Sequence, residues 1–176
     1  MTDTLFFDTD CLSAFLWVRN ESILPQLYPG KVVIPQPVYT ELCRPGTPHL
    51  RSRIDALLAG KLVSIQDIDI TSEEYGTYYQ LTETPAKGHK VIGKGEAASI
   101  ALAKKYGGIV ASNNLRDIRT YISEFGLKHT TTGTILADAY KRGFITESDG
   151  NAIWANMLAK RRQLGAVSFT EYLKQI

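Results

Sequence analysis

Neither sign of charge is in excess in this chain, and cysteine is scarce. The 176 residues carry 20 Lys and Arg against 18 Asp and Glu, a net charge of +2. A balance so close to neutral gives no argument for nucleic acid from charge alone. The two cysteines, Cys11 and Cys43, lack the spacing of a metal site or a redox pair. We therefore interpret them as reduced thiols in a cytoplasmic protein.

Long hydrophobic runs are also absent from the sequence. No apolar stretch approaches the roughly 18 residues of a membrane span, and no basic region precedes the first one, so neither a span nor a signal peptide is expected. Hydrophobic residues make up 44% of the chain and charged residues 22%, which is ordinary globular composition. The length suits one domain over residues 1–176, with C-terminal helices from about residue 146 appended to its core.

Short apolar runs alternate with helical patterns along the chain. The predicted strands lie at 4–8, 31–34, 62–65, 109–112 and 128–132. The predicted helices lie at about 11–18, 37–43, 48–59, 72–83, 96–106, 115–125, 134–142 and 149–162. This alternation predicts an α/β fold of three layers, in which a mostly parallel sheet of four to five strands has helices on both faces.

Four acidic residues stand where a predicted strand ends or a helix begins. Asp8 closes the first strand, and Asp117 follows the fourth strand after a short loop. Glu41 lies on an early helix, and Glu96 opens a middle helix. Ligands of parallel sheets bind beyond the carboxyl ends of the strands. Carboxylates gathered there repel one another without a cation, and a hard divalent metal is their natural occupant.

Each acid also has a simpler interpretation when it is taken alone. Asp8 could be a solvated turn residue or a helix cap, and Glu41 a surface residue. Glu96 suits a helix N-terminus, where the helix dipole favours a carboxylate, and Asp117 could pair with a neighbouring arginine. Asp10 is a fifth acid close by, and we expect it to cap the following helix. The hypothesis of a site therefore depends on the four acids in combination.

Four segments around these acids form a recognisable pattern. They are Phe7-Asp8-Thr9, Val38-Tyr39-Thr40-Glu41-Leu42, Gly95-Glu96-Ala97-Ala98-Ser99-Ile100-Ala101-Leu102-Ala103 and Ser112-Asn113-Asn114-Leu115-Arg116-Asp117. Together they resemble the PIN-domain ribonucleases, and the likeness covers roughly residues 4 to 165. The later run Thr132-Gly133-Thr134-Ile135-Leu136 is similar to a bacterial branch of that family. Many members of the branch are toxins of VapC-like toxin–antitoxin pairs.

The resemblance implies a Mg²⁺- or Mn²⁺-dependent endoribonuclease that cleaves single-stranded RNA with a metal-activated water. It implies that Asp8, Glu96 and Asp117 contribute to the metal site, and that Glu41 orients and deprotonates the water. Auxiliary roles are expected for three polar neighbours, Thr9, Ser112 and Asn114. Ser112 and Asn114 could hold a water or phosphate oxygen or orient Asp117, or they could only end the strand and cap the next helix.

One departure from the family pattern leaves alternatives open. Many members carry two consecutive acids after the fourth strand, where this chain has Asn113-Asn114. Asp117 then has to supply that carboxylate, and an inactive PIN-like RNA-binding or regulatory module is an alternative. A further alternative is a phosphatase of the haloacid-dehalogenase type, with Asp8 as nucleophile and Asp10 as acid/base. No late pair of acids after a strand supports that alternative.

RNA also has to be attracted to an acidic site. We expect a basic rim that contacts phosphates, formed by Lys87, Lys90, Lys94, Arg116 and Arg119. Three tyrosines at near-helical spacing, Tyr75, Tyr78 and Tyr79, could stack on bases, although we favour a dimer or partner surface. The scattered His49, His89 and His129 are interpreted as loop or surface residues. The expected partners are single-stranded or structured RNA, a small antitoxin and a second copy of the chain, without a membrane.

Overall fold

The computed structural model describes residues 3–176. Five strands form one sheet: β1 (Leu5–Phe7), β2 (Val32–Pro35), β3 (Ser64–Gln66), β4 (Ile109–Ala111) and β5 (Lys128–Thr130). Their order is β3-β2-β1-β4-β5, and every neighbouring pair is parallel. The predicted α/β class and parallel sheet are confirmed, because each strand lies within or beside its predicted run.

Ten helices occur in the described part of the chain. They are α1 (Thr9–Trp17), α2 (Ile23–Leu27), α3 (Gln36–Leu42), α4 (Pro48–Ala59), α5 (Glu73–Thr82), α6 (Lys94–Tyr106), α7 (Leu115–Glu124), α8 (Thr132–Lys141), α9 (Glu147–Ala159) and α10 (Phe169–Leu173). The sequence predicts all except α2 and α10. Every helix within residues 3–176 is too short or too polar to cross a lipid bilayer.

The hydrophobic core has two parts, one on each face of the sheet. Leu5 and Phe7 of β1 belong to the larger part, and Phe6 between them belongs to the smaller. Successive side chains of a strand point to opposite faces, so helices cover both faces of β1. All three residues are buried, as expected for a central parallel strand.

The last two helices contribute to the larger part of the core. Trp154 of α9 and Phe169 of α10 are fully buried in it, with ring centroids 5.9 Å apart. Gly150 allows this approach, because a Cβ there would lie 2.2 Å from the Phe169 ring. Trp154 is therefore a packing residue of the core.

The central pair of strands brings distant loops together. β1 and β4 are neighbours, with Phe7 opposite Ala111. The Asp8 N–H donates to the Ala111 carbonyl at 2.9 Å, and Ser112 follows directly. The loops after β1 and β4 therefore meet at the carboxyl edge of the sheet, as the parallel topology predicts.

Candidate active site

Asp8 is a buried carboxylate with one uncompensated oxygen. It precedes α1, and its Oδ1 accepts from the Cys11 N–H at 2.7 Å, so it caps that helix. Its Oδ2 has no hydrogen-bond partner of good geometry within residues 3–176. The pKa of Asp8 is raised to about 7, mainly by burial; the charges of Asp10 and Glu96 add to this effect, and the nearby Ser112 hydroxyl and the Cys11 N–H oppose it. The interpretation of Asp8 as a solvated turn residue is therefore wrong, since only 1% is exposed.

Glu96 is held from two sides in the first turn of α6. Its Oε2 accepts from the Gly93 N–H at 3.0 Å, which satisfies a free donor at the helix N-terminus. Its Oε1 accepts from Asn114 Nδ2 at 2.7 Å. Burial raises the pKa of Glu96, and the charges of Asp117 and Asp10 add to this effect, while the two hydrogen bonds oppose it.

Asn114 places a neutral amide between two carboxylates. Its Nδ2 donates to Glu96 Oε1 and also to Asp117 Oδ2 at 2.8 Å. This second bond is the main reason that the pKa of Asp117 is lowered, and the charges of Arg116 and Lys90 contribute less. Asn114 stands at the N-cap position of α7 but makes no side-chain cap. The structure therefore brings Asp117 toward Glu96 through Asn114.

Ser112 and Asn113 support this loop from behind. Ser112 is fully buried, and its Oγ accepts from the Asn114 N–H at 3.2 Å. The Asn113 side chain bonds twice to Thr132, with Oδ1 accepting from the N–H and Nδ2 donating to Oγ1, both at 2.9 Å. Asn113 thus joins the loop to α8, and it also lines the pocket that contains Glu96 and Asp117.

Glu41 reaches the site from α3. Its Oε2 accepts from Thr9 Oγ1 at 2.7 Å, at the start of α1. Gly95 makes this arrangement possible, because a Cβ there would lie 2.6 Å from Thr9 Oγ1 and 3.2 Å from Val38 Cγ2. The first turn of α6 therefore lies directly against α1 and α3, so that Glu41 and Glu96 face a common cavity.

Two adjoining pockets contain the four predicted acids. The first, of about 340 Å³, is lined by Asp8, Thr9, Asp10, Ser13, Glu41, Gly93, Gly95, Glu96 and Arg162. The second, of about 310 Å³, shares Asp10, Glu96 and Arg162 with it and adds Asn114 and Asp117. Within residues 3–176, no three His, Cys, Asp or Glu side chains form a ready-made metal-binding group.

Asp10 and Arg162 line both pockets, although the sequence pattern assigned Asp10 another role and did not indicate Arg162. The expectation that Asp10 caps α1 is wrong, because Asp8 occupies the cap position and leaves Asp10 in the first turn, facing the pockets. Arg162 Nη1 lies 3.5 Å from Asp10 Oδ1 and donates to Ser13 Oγ at 3.3 Å. Arg162 follows α9, and no sequence pattern indicates that this region returns to α1.

Only some of the predicted basic residues lie close to the acidic pockets. Lys94 begins α6, and Arg116 lines the second pocket with its side chain 91% exposed. Lys90 lies near enough to Asp117 to lower its pKa. Lys87 and Arg119 are exposed and line neither of the two pockets.

The interpretation of His129 as a loop or surface residue is wrong. His129 lies in β5 opposite Val110, half-buried, and its Nε2 is 2.8 Å from the Ser112 carbonyl oxygen. Burial lowers the pKa of His129, because the neutral ring is favoured away from water. His89 lies in the loop between α5 and α6, as expected, and its ring stacks on Tyr121 with centroids 5.2 Å apart.

The fold and the site together define a class of α/β protein with an acidic cleft beyond the carboxyl ends of its parallel strands. The family model DUF3368, a PIN domain, matches residues 4–176, and the chain therefore belongs to the PIN-domain family. That family consists generally of nucleases, and the membership decides against the phosphatase alternative.

Among solved structures, the chain is similar to the structure of FitAB bound to IR36 DNA fragment. The two are 19% identical, with a TM-score of 0.50, and the match covers 73% of this chain and 95% of that chain. At this identity the likeness concerns the fold alone. No curated protein matches the chain.

Proposed function

We propose that this protein is a Mg²⁺- or Mn²⁺-dependent endoribonuclease that cleaves single-stranded RNA, and that it is the toxin of a toxin–antitoxin pair. We further propose that residues 1–176 act as a single PIN-like domain, including the helices after about residue 146. Membership of a nuclease family supports the reaction class. The choice of RNA and the toxin role rest on the resemblance of the sequence segments around the four acids.

The observation that carries the proposal is the unpartnered, buried Oδ2 of Asp8. A buried carboxylate oxygen without a donor is costly unless it is protonated or meets a cation. Glu96 and the neighbouring Asp117 supply further hard oxygen donors, which are the ligands that Mg²⁺ and Mn²⁺ prefer. We assign Asp8, Glu96 and Asp117 as the residues that hold the ion, directly or through water. A bound ion lowers the pKa of its water and neutralises charge on the phosphate.

The protein groups around the ion site have separate tasks in this proposal. Glu41 orients the attacking water and accepts its proton. Thr9 holds one Glu41 oxygen by its 2.7 Å bond, which leaves the other oxygen for the water. Asn114 fixes the separation of Glu96 and Asp117, because its amide donates to both.

Substrate phosphates have to be held by cations beside the acids. We assign Arg162 to this role, since it borders both pockets and its partner Asp10 is 42% exposed. A guanidinium suits the task, because it can bind phosphate with two parallel hydrogen bonds. The predicted basic rim of Lys87, Lys90, Lys94, Arg116 and Arg119 would contact phosphates farther along the strand.

The test is a cleavage assay with purified protein on single-stranded RNA, single-stranded DNA and duplex DNA. Cutting of single-stranded RNA is expected with Mn²⁺ or Mg²⁺ and not with EDTA. Asp8→Asn and Glu96→Gln should each lower the rate at least about 100-fold, since each removes charge that holds the ion. Glu83→Gln, at an exposed acid that lines neither pocket, is the matched control. Undiminished cutting by both site variants, or cutting in EDTA, contradicts the mechanism.

One observation favours the alternative of an inactive RNA-binding module. Asn113 and Asn114 are both engaged by neutral hydrogen bonds, so the β4 loop offers only Asp117 to an ion. Metal-independent RNA binding without cleavage by the wild-type protein would support this alternative.

The toxin role has its own test, in which the product of a neighbouring short reading frame should bind the protein and stop cleavage. Light scattering on the free protein then tests for the homodimer.

A further inference from the structure

A second concave surface lies on the other side of Glu41. We call it the tyrosine groove and define it by Pro37, Arg44, Ile68, Tyr75, Tyr78 and Lys94. Its volume is about 370 Å³. The proposed ion site and its catalytic groups do not require aromatic and apolar residues in this groove.

Two aromatic rings and two aliphatic side chains give the groove flat, apolar walls. Tyr75 and Tyr78 are half-buried on α5, and their ring centroids are 6.0 Å apart at an interplanar angle of 43°. Pro37 and Ile68 face the same space. Surfaces of this kind accept planar ring systems, because every nucleobase has a π-face that stacks on an aromatic side chain.

The groove is continuous with the acidic pocket. Glu41 lines both cavities. The first turn of α6 separates them, with Lys94 on the groove side and its neighbours Gly93 and Gly95 on the acidic side. A single nucleic acid strand can therefore have one phosphate among the acids and an adjacent base in the groove.

The charges of the lining distinguish a nucleotide from a protein partner. Arg44 and Lys94 are both exposed, and Asp67 is the one other charged residue there besides Glu41. The centre of a protein–protein interface is depleted of charged residues. Cations beside an aromatic surface instead match a base that carries phosphates on both sides.

We propose that the tyrosine groove is a nucleobase-binding subsite for single-stranded nucleic acid. The base of a nucleotide next to the reacting phosphodiester lies against Tyr75 and Tyr78, and its flanking phosphates contact Arg44 and Lys94. The position relative to the reacting bond rests on the proposed function. Binding of the base does not, because it requires no cleavage.

The experiment measures binding in EDTA, where no cleavage is expected. The probe is a single-stranded RNA hexanucleotide with 2-aminopurine at one internal position, compared with the same strand lacking that base. Wild-type protein should bind the complete strand about tenfold more tightly at one position, since stacking of a base has roughly this effect. Quenching of the 2-aminopurine fluorescence should accompany binding.

Variants then assign the base to the groove. Tyr75→Leu and Tyr78→Leu should lose the preference for the complete strand, and Tyr75→Phe should keep it. Tyr106→Leu is the control, because Tyr106 is 55% exposed and does not line the groove. Arg44→Gln should weaken binding of both strands equally and reduce the salt dependence. Thermal melting confirms that each variant is folded.

Several outcomes would overturn the subsite. An unchanged preference in both Tyr75→Leu and Tyr78→Leu excludes it, as does a wild-type protein that binds both strands alike. Loss of a dimer in these variants, with the base preference intact, assigns the groove to a second copy of the chain. If binding depends on the base but no metal-dependent cutting is seen, the subsite is supported and the nuclease proposal is contradicted. If the protein cuts RNA but its binding does not depend on the base, the nuclease proposal is supported and the subsite is contradicted.

Discussion

At the scale of single residues, Asp8 sets the electrostatics of the site. Its pKa is raised from 3.8 to about 7 in the folded protein. Between these values the folded state holds a proton that the unfolded state has released. The free energy of unfolding of the metal-free protein therefore falls as pH rises from about 4 to about 7. A pKa shift of this size lowers the free energy of unfolding by at most roughly 4 kcal/mol over that pH range.

Asp8→Asn should stabilise the metal-free protein at pH 8. The amide removes the buried charge and can still accept from the Cys11 N–H. At pH 8 in EDTA we expect the variant to have a higher melting temperature than wild type and a free energy of unfolding larger by up to roughly 4 kcal/mol. At pH 4 the two proteins should differ little. Saturating Mn²⁺ should raise the melting temperature of wild type far more than that of the variant. Equal melting temperatures at pH 8 would show that Asp8 bears no such penalty.

Asn114→Asp should strengthen ion binding while it weakens the free protein. The substitution replaces a donor shared by Glu96 and Asp117 with a third negative charge. Like charges at this distance repel. In EDTA the melting temperature should therefore fall, and the free energy of unfolding should decrease by about 1–3 kcal/mol. The rise on adding Mn²⁺ should exceed that of wild type. Asn156→Asp, at an exposed position of α9, is the control and should show neither effect.

At the scale of elements, the sequence predicted what depends on local pattern. The five apolar runs identified the strands, and their parallel pairing brought Asp8 and the β4 loop to one edge, as expected. Helices α2 and α10 were missed because five residues give too little periodicity. Helix α6 begins two residues before the predicted Glu96, because Glu96 bonds back to Gly93 in its first turn.

Contacts between distant elements were beyond prediction. The pairing of Arg162 with Asp10 joins residues 152 positions apart, and it depends on how α9 ends beside α1. The tyrosines on α5 were assigned to a dimer or partner surface, and only the structure shows that two of them border Glu41. Spacing along one helix indicates which side chains share a face, but not what that face meets.

Gly95→Ala should separate the first turn of α6 from α1. The new Cβ would lie 2.6 Å from Thr9 Oγ1, and the displaced hydroxyl would lose its bond to Glu41. We expect destabilisation of about 1–3 kcal/mol and a larger loss of cleavage rate than of RNA affinity. Gly76→Ala is the control, since nothing lies within 4 Å of a Cβ there, and it should be neutral or stabilising. Similar behaviour of the two variants would contradict the close contact.

His129 should make the pairing of β4 and β5 sensitive to acid. Its pKa is lowered in the folded state, so the unfolded state takes up a proton first as pH falls below about 6.5. Stability present at neutral pH is then lost toward pH 5. His129→Gln should show a smaller drop in melting temperature between pH 7.5 and 5 than wild type. His49→Gln, at an exposed position of α4, should retain the full drop.

At the scale of the whole molecule, one core supports both the sheet and the C-terminal helices. Phe169 is fully buried. Its ring packs edge-to-face with Tyr140 and at a tilt against Trp154. The segment between α9 and α10 also supplies Arg162 to the acidic pockets. The last helices therefore contribute packing to the larger core and a cation to the site.

Phe169→Ala should destabilise the whole protein. Removing a fully buried aromatic side chain leaves a cavity and costs roughly 3–5 kcal/mol. We expect a single cooperative denaturant transition that is shifted to lower midpoint with an unchanged slope. Val167→Ala is the control, because Val167 is 83% exposed and its loss should change the midpoint little. Two separate transitions would indicate that α9 and α10 unfold independently.

The position of Arg162 has a consequence for the order in which the protein is completed during translation. A ribosome makes the four acids first, by residue 117, and adds Arg162 and Phe169 much later. A nascent chain can thus display its carboxylates while the guanidinium that borders them is still unmade. The lining of the acidic pockets is therefore complete only after Arg162 has been added to the chain.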